Sequence, residues 1–240
     1  MRDTLYTHEP SAVAAFEFNS KVAAVFPDMI ARSVPGYAAT LRLIGSIADR
    51  YVSAGSRCYD LGCSRGAALL SVYGQIGGRA ELVAVDQSAS MMAELKKDLA
   101  TKQISGVELR EEDIRETVVE NASLSLLNFT LQFIPPADRQ PLLSKIAGGT
   151  RPGGVLVLSE KIQFSDPVVE SEMVALHEAF KRENGYSDLE ISRKRAALEK
   201  VLIPETLAVH QERLRDAGFS RSQVWLQCFN FASLLAFRDC

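Results

Sequence analysis

Residues 57–69 read Arg57-Cys-Tyr-Asp-Leu-Gly-Cys-Ser-Arg-Gly-Ala-Ala-Leu69. An apolar approach ends in Asp60, a Gly-x-Ser-x-Gly turn follows, and small residues open a helix. The order strand, tight turn, helix places the N-terminus of that helix, with its unpaired N–H groups, over whatever lies in the turn. Gly62 and Gly66 carry no Cβ, so the backbone can turn sharply and approach a ligand closely. This describes a nucleotide-type pocket at the carboxyl end of the first strand of a parallel sheet.

Reading outward, strands and helices alternate. Gly77-Gly78 ends the first helix, and Glu81–Asp86 is an almost wholly apolar second strand, buried on both faces. Ser88 or Ser90 caps a helix running to about Lys102. Val107–Arg110 is strand three, leading into Glu111-Glu112-Asp113-Ile114, and 122–129 is strand four. A helix follows near 136–148, then a turn at Arg151-Pro-Gly-Gly154 and strand five at 155–160. This alternation implies right-handed crossovers and a parallel sheet. Residues 166–218 hold three helical stretches, too long for one crossover, and read as a helical insertion. Two strands, 221–225 and 228–237, close the chain across a short loop and are therefore antiparallel. On the N-terminal side, 1–20 reads as a mobile arm, 21–33 as a helix interrupted by Pro27, and 37–51 as an amphipathic helix. The whole is read as one domain over 1–240, with 1–50 as an N-terminal arm and helices.

Composition narrows the class. The 240 residues are 47% hydrophobic and 24% charged, with a net charge of −3, as expected of a soluble globular protein. That balance argues against a surface built mainly for nucleic acid. No apolar run approaches the roughly 20 residues of a spanning helix, and the N-terminus lacks the apolar core of a signal peptide, so a cytoplasmic protein without membrane attachment is expected. Cys58, Cys63, Cys228 and Cys240 form no CxxC and make no ligand cluster with His8, His177 and His210. Reduced thiols and no metal follow.

The turn is neither the Gly-x-Gly-x-x-Gly of dinucleotide sites nor a P-loop, so a phosphate ligand is disfavoured. A methionine-like tail fits instead, with Asp60 and the turn backbone placed for its ammonium and carboxylate. Asp86 lies 20 residues after Gly66 and can accept both hydroxyls of a ribose; it can equally cap a helix. Gln87 adds a backbone or side-chain contact. Asp113 and the N–H of Ile114 match the amino group and a ring nitrogen of adenine, or form an acidic surface turn. Asn128 ends strand four, nearest the reacting centre. It donates and accepts hydrogen bonds but is no general base.

Together these four strand ends resemble the S-adenosylmethionine pocket of class I methyltransferases. The expected fold is a Rossmann-like seven-stranded sheet with an antiparallel last strand, an N-terminal helical segment and a helical insertion between strands five and six. Four further stretches narrow the likeness: Phe26-Pro-Asp-Met-Ile-Ala-Arg-Ser-Val-Pro-Gly-Tyr37, Asn128-Phe-Thr-Leu-Gln-Phe133, Asn184-Gly-Tyr-Ser-Asp-Leu-Glu-Ile-Ser192 with Lys194-Arg195, and Trp225-Leu-Gln-Cys-Phe-Asn-Phe231. Over nearly the whole chain the sequence resembles the carboxy-S-adenosylmethionine synthase (CmoA) family.

The resemblance implies synthesis of carboxy-S-adenosylmethionine from S-adenosylmethionine and prephenate, with loss of phenylpyruvate and water. It also implies a homodimer, and a product used for 5-carboxymethoxyuridine at the tRNA wobble position. It assigns ligand contacts to Tyr37, Gly62, Cys63, Ser64, Asp86, Gln87, Asp113, Ile114 and Asn128, and a grip on the new carboxylate to Arg195. Tyr37, Asn128 and Arg195 then surround the reacting methyl. Gln87 stands where the family suggests Asn, and Arg65 where it suggests an apolar residue. Arg65 either pairs with a nearby carboxylate or faces solvent. Without the resemblance Arg195 reads as one solvated charge in Arg193-Lys194-Arg195, Tyr37 as a core aromatic, and His177 as a structural histidine.

The implied chemistry is physically reasonable. Aromatising the prephenate ring supplies the driving force, and the sulfonium acidifies the methyl C–H. A closed, dry site keeps CO2 from escaping, so positioning and electrostatics suffice without a protein nucleophile. The other readings are an ordinary methyltransferase acting on tRNA or a small molecule, and a non-catalytic S-adenosylmethionine-binding regulator.

Overall fold

The computed structural model describes residues 1–7, 16–199 and 201–239. His8 and Cys240 lie outside them, as do residues 8–15 of the N-terminal arm expected over 1–20. Seven strands form one sheet in the order β3-β2-β1-β4-β5-β7-β6: β1 Arg57–Leu61, β2 Glu81–Val85, β3 Val107–Arg110, β4 Ala122–Asn128, β5 Thr150–Lys161, β6 Arg221–Cys228 and β7 Phe231–Phe237. The first five pair in parallel, and β7 runs antiparallel to both β5 and β6. The order reverses between β1 and β4, which opens a crevice beyond the carboxyl ends of those two strands.

Helices cover both faces. On one side α2 (Tyr37–Tyr51), α3 (Ala67–Ile76) and α4 (Ala89–Thr101) bury Ile44, Leu69, Val72 and Leu95 against Cys58, Leu82 and Leu124. On the other, α5 (Pro136–Gly149) and α8 (Leu207–Ala217) bury Leu142, Leu143, Ile146 and Leu214 against Tyr59, Val83 and Leu156. The remaining helices, α1 (Ser20–Ser33), α6 (Pro167–Glu183) and α7 (Asp188–Leu198), stand over the crevice. Ser187 starts α7 with a full capping box: its Oγ accepts from Glu190 N–H at 3.3 Å, and Glu190 accepts from Ser187 N–H at 2.8 Å.

Three sequence expectations need correction. Helix α1 is not interrupted by Pro27 but runs through it. Proline has no N–H, so the carbonyl of Ala23, four residues back, loses its helical donor. Arg65 supplies one instead, its Nη1 donating to Ala23 O at 3.2 Å. The same guanidinium pairs with Asp98 at 2.7 Å. Arg65 thus fastens α1 to the β1 turn and does not simply face solvent. Second, the turn at 151–154 lies inside β5 as a bulge: Ala122 pairs with Thr150, but Leu124 pairs with Val155. Gly153 takes φ +79° there. Third, the start of the chain is docked. Asp3 is buried; its carboxylate accepts from Tyr186 Oη at 2.6 Å, and its N–H donates to Asp28 at 2.7 Å.

A double-mutant cycle tests the Arg65 fastening. Arg65→Ala is expected to lower stability by about 1–2 kcal/mol through the lost charged hydrogen bonds. In a Pro27→Ala background the Ala23 carbonyl regains a helical donor, and the loss shrinks measurably. Chemical denaturation of the four proteins reads it, and equal losses in both backgrounds would refute it.

Candidate functional site

The reversed crevice is a cavity of about 940 Å³, walled below by the strand ends and above by α1, α6 and α7. A smaller cavity of about 280 Å³ adjoins it at the β1 turn. Gly62, Ser64 and Asn128 border both, so the two form one bent site with the turn at its corner.

Strand β1 sets the corner. A Cβ at Gly62 (φ +81°) would overlap the Thr130 side chain. Glycine is therefore what lets the β1 and β4 loops close together. Ser64 holds φ +49° without being glycine, and its N–H donates to Asp86 Oδ2 at 2.9 Å. Phe129, after β4, is also left-handed at φ +63°. Two such residues flanking one cavity mark backbone held in place by its surroundings. Gly66 borders neither cavity; it begins α3, and a Cβ there would sit 2.5 Å from Leu95 Cδ1.

Asp86 follows β2 at the edge of the large cavity and is not a helix cap. Ser88 caps α4, its Oγ accepting from Met91 N–H at 3.2 Å. Asp86 accepts from the N–H groups of Ser64 and Ser88, at 2.9 and 2.8 Å. Burial raises its pKa despite these bonds. Gln87 and Ile114 border the same cavity. Asp113 does too, in the loop after β3, but Arg115 grips its carboxylate at 2.7–3.1 Å and lowers its pKa. Asn128 ends β4 with its Oδ1 buried and without a hydrogen-bond partner among the described residues.

The small cavity holds Tyr37, Asp60 and Cys63. Asp60 is fully enclosed, and desolvation pushes its pKa up to about 7; a bond from Leu69 N–H at 3.0 Å opposes this and Asp86 adds to it. Burial raises the Tyr37 hydroxyl and the Cys63 thiol well above their ordinary values. Arg195, on α7, borders the large cavity and pairs with Glu178 at 3.0 Å and Glu199 at 3.4 Å. His177 is buried with its Nε2 2.8 Å from Ser33 O, and its ring meets the edge of Phe231. Burial drops its pKa to about 3. Its ring also borders the large cavity.

Sequence reading missed four residues around this site. Lys161, Lys181 and Lys194 border the large cavity, although in sequence they look like solvated charges. Arg139 is wholly buried and binds Ile134 O, Ile203 O and Glu205, at 2.8, 2.9 and 2.5 Å. It ties the segment before α8 to α5. An acidic residue 66 positions away gives no local sequence signal. Among the described residues no group of three or more His, Cys, Asp or Glu is placed to hold a metal, and no helix is long and apolar enough to cross a membrane. Cys58, Cys63 and Cys228 are free thiols.

A methyltransferase-domain model matches residues 59–154, the strands and loops that build the corner. The chain is 53% identical to a carboxy-S-adenosyl-L-methionine synthase of Shewanella oneidensis over 99% of this chain and 98% of the relative. It is 54% identical to the synthase of Geobacter metallireducens, over 98% of each. The chain belongs to the carboxy-S-adenosyl-L-methionine synthase family. Among solved structures, human N-acetylserotonin methyltransferase superposes with TM-score 0.62 at 14% identity, over 92% of this chain and 56% of that one. An O-methyltransferase family protein of Burkholderia thailandensis gives 0.64 at 16%, over 92% and 60%. These two share the fold.

The family's sulfonium cosubstrate fits what is present. The Asn128 Oδ1 without a partner among the described residues, the tightly closed Gly62 corner and the enclosed Asp60 all border the bent site. An organic cation against Asp60 favours its charged form and lowers its pKa from about 7. Binding of S-adenosylmethionine near pH 7 therefore releases protons, and affinity rises as pH climbs through 7. Calorimetry in buffers of different ionisation enthalpy reads the release, which Asp60→Asn abolishes. No buffer dependence in the unmodified protein would contradict this.

Proposed function

We propose that the chain makes carboxy-S-adenosylmethionine from S-adenosylmethionine and prephenate, releasing phenylpyruvate and water. The product is then used to form 5-carboxymethoxyuridine at the tRNA wobble position. The observation that carries the reading is a single cavity bordered by Asp86, Asp113 and Asn128 on the sheet side and by Arg195 on the helical side. Asp86 and Gln87 receive the ribose. Asp113 and Ile114 receive the adenine, with Arg115 orienting the carboxylate. Asp60, Gly62, Cys63, Ser64 and Tyr37 surround the amino-acid end, and Gly66 starts the helix behind them. Asn128 lies at the bend, beside the reacting methyl.

Arg195 exchanges part of its pairing with Glu178 and Glu199 for the new carboxylate, which its planar fork can bind through two parallel bonds. Its side chain is 55% exposed, so solvent weakens the contribution. A charged hydrogen bond worth about 1.5–3 kcal/mol when sheltered is worth nearer 1 here. A homodimer through the inserted helices suits the exposed Val168, Val169, Leu176 and Leu189.

The direct test is the mass of the ligand that co-purifies and of the product formed with prephenate. A species heavier than S-adenosylmethionine by one CO2 is expected. S-adenosylmethionine alone, with no new product when prephenate is added, would refute the reading. Arg195→Leu is expected to keep S-adenosylmethionine binding and reduce the preference for the carboxylated form about five- to ten-fold, the equivalent of roughly 1 kcal/mol. Equal loss of both ligands would make Arg195 structural.

A further inference from the structure

The helical wall of the large cavity carries more positive charge than Arg195 alone. Lys161 at the end of β5, Lys181 on α6 and Lys194 on α7 all border it. Lys194 has partners: its Nζ donates to Ser33 Oγ at 2.8 Å and lies 3.5 Å from Asp3. Lys161 and Lys181 have none. Neither ammonium makes a hydrogen bond or ion pair among the described residues, although Lys181 is only 8% exposed. Burial lowers the pKa of both, and Lys161 and Lys194 depress that of Lys181 further.

Acidic groups border the same cavity; Glu17, near the chain start, is exposed, and those beside the lysines are engaged. Glu170 accepts from Phe164 N–H at 2.8 Å. Glu178 pairs with Arg195 at 3.0 Å and Arg182 at 3.5 Å, and Glu199 with Arg195 at 3.4 Å. Across the cavity, Asp86 is held by backbone N–H groups and Asp113 by Arg115. Glu170, Glu178 and Glu199 attract Lys161 through space, and Glu178 attracts Lys181, but none forms a direct pair with either lysine among the described residues. A buried or half-buried ammonium without a direct partner is costly. A site that tolerates them is built for anions that arrive from outside. Val174 and Phe231 border the same space and suit an apolar body between the anionic ends.

We propose that Lys161 and Lys181 receive the two carboxylates of the second substrate, a compact dicarboxylate with an apolar ring. This rests on the reaction proposed above and names the residues that select its carboxyl donor. The arrangement also distinguishes substrate from product. The reaction removes one of the two carboxylates, so the departing keto acid leaves one lysine without its counter-ion and binds more weakly than the donor did.

The test uses the whole protein. Product mass first establishes that the unmodified enzyme carboxylates S-adenosylmethionine with prephenate; if it does not, the reaction assignment falls. Lys161→Met and Lys181→Met are each expected to raise KM for prephenate at least ten-fold, with S-adenosylmethionine affinity within two-fold, and Lys181→Arg recovers part of the loss. An unchanged KM, or equal weakening of both substrates, overturns the assignment. A second measurement needs no variant. The unmodified protein, held with S-adenosylhomocysteine to prevent turnover, is labelled by acetic anhydride with and without prephenate, and its peptides are weighed. Prephenate is expected to protect Lys161 and Lys181 but not the surface residue Lys97. Equal labelling at saturating prephenate overturns the proposal whatever the reaction proves to be.

Discussion

The site depends on the carboxylate of Asp86. Its two oxygens accept one N–H from the β1 turn and one from the start of α4. That pair of bonds joins two loops from adjacent strands and fixes Ser64 in a left-handed conformation that its side chain disfavours. Burial raises the pKa of this carboxylate. The two N–H donors oppose that by favouring the charged form. The same group can then bind two loops together and still present lone pairs to a ligand, since each carboxylate oxygen accepts more than one bond.

Charge is divided across the cavity. The sheet edge supplies Asp60, Asp86 and Asp113, while Lys161 at the end of β5 and Lys181, Lys194 and Arg195 on the helical wall outnumber that wall's Glu170, Glu178 and Glu199. A cation settles toward the strand ends and an anion toward the helices. The division follows from the fold. Carboxylates at strand ends meet backbone N–H groups of the loops and helix starts that follow. The lysines come from the middle and end of α6 and α7 and from the last residue of β5, where no helix N-terminus opposes them. Two oppositely charged reactants can thus be held face to face while water is excluded, which strengthens both attractions.

Much of the sheet was legible from sequence because its signals are local. Buried strands such as 81–85 read as apolar runs, and each ends at a polar residue followed by a turn. The corner at 60–66 was legible for the same reason. Pro27, β5 and the chain start were not. Whether a proline breaks a helix depended on Arg65, 42 positions from the Ala23 carbonyl it serves. The bulge in β5 depended on register with β4. The docking of Asp3 depended on Tyr186 and Lys194, 183 and 191 positions distant. In the site, the strand-end acids showed themselves by position, whereas Lys161 and Lys181 did not. A lysine closing a strand or on an amphipathic helix looks the same in sequence whether its ammonium reaches solvent or a cavity.

The uncompensated lysines bear on how the helical wall is kept in place. Mutual repulsion and desolvation there favour opening of α6 and α7 away from the sheet. Opposing this are contacts that lie outside the cavity proper. Asp3 binds Tyr186 and Lys194, Arg32 donates to Asn184 O at 2.7 Å, and the Arg32 guanidinium stacks 3.9 Å over the Tyr186 ring. The Tyr186–Asp3 and Arg32–Asn184 hydrogen bonds, at 2.6 and 2.7 Å, are short and charge-assisted, the class worth about 1.5–3 kcal/mol each; the Lys194–Asp3 pair at 3.5 Å and the Arg32–Tyr186 stack add less. Together they link the first residues of the chain, α1 and the inserted helices. The helical wall is thus held from a separate seam, and Lys161 and Lys181 keep their ammonium groups free of direct partners among the described residues. An ion pair to either within the cavity would relieve the same repulsion by filling the site.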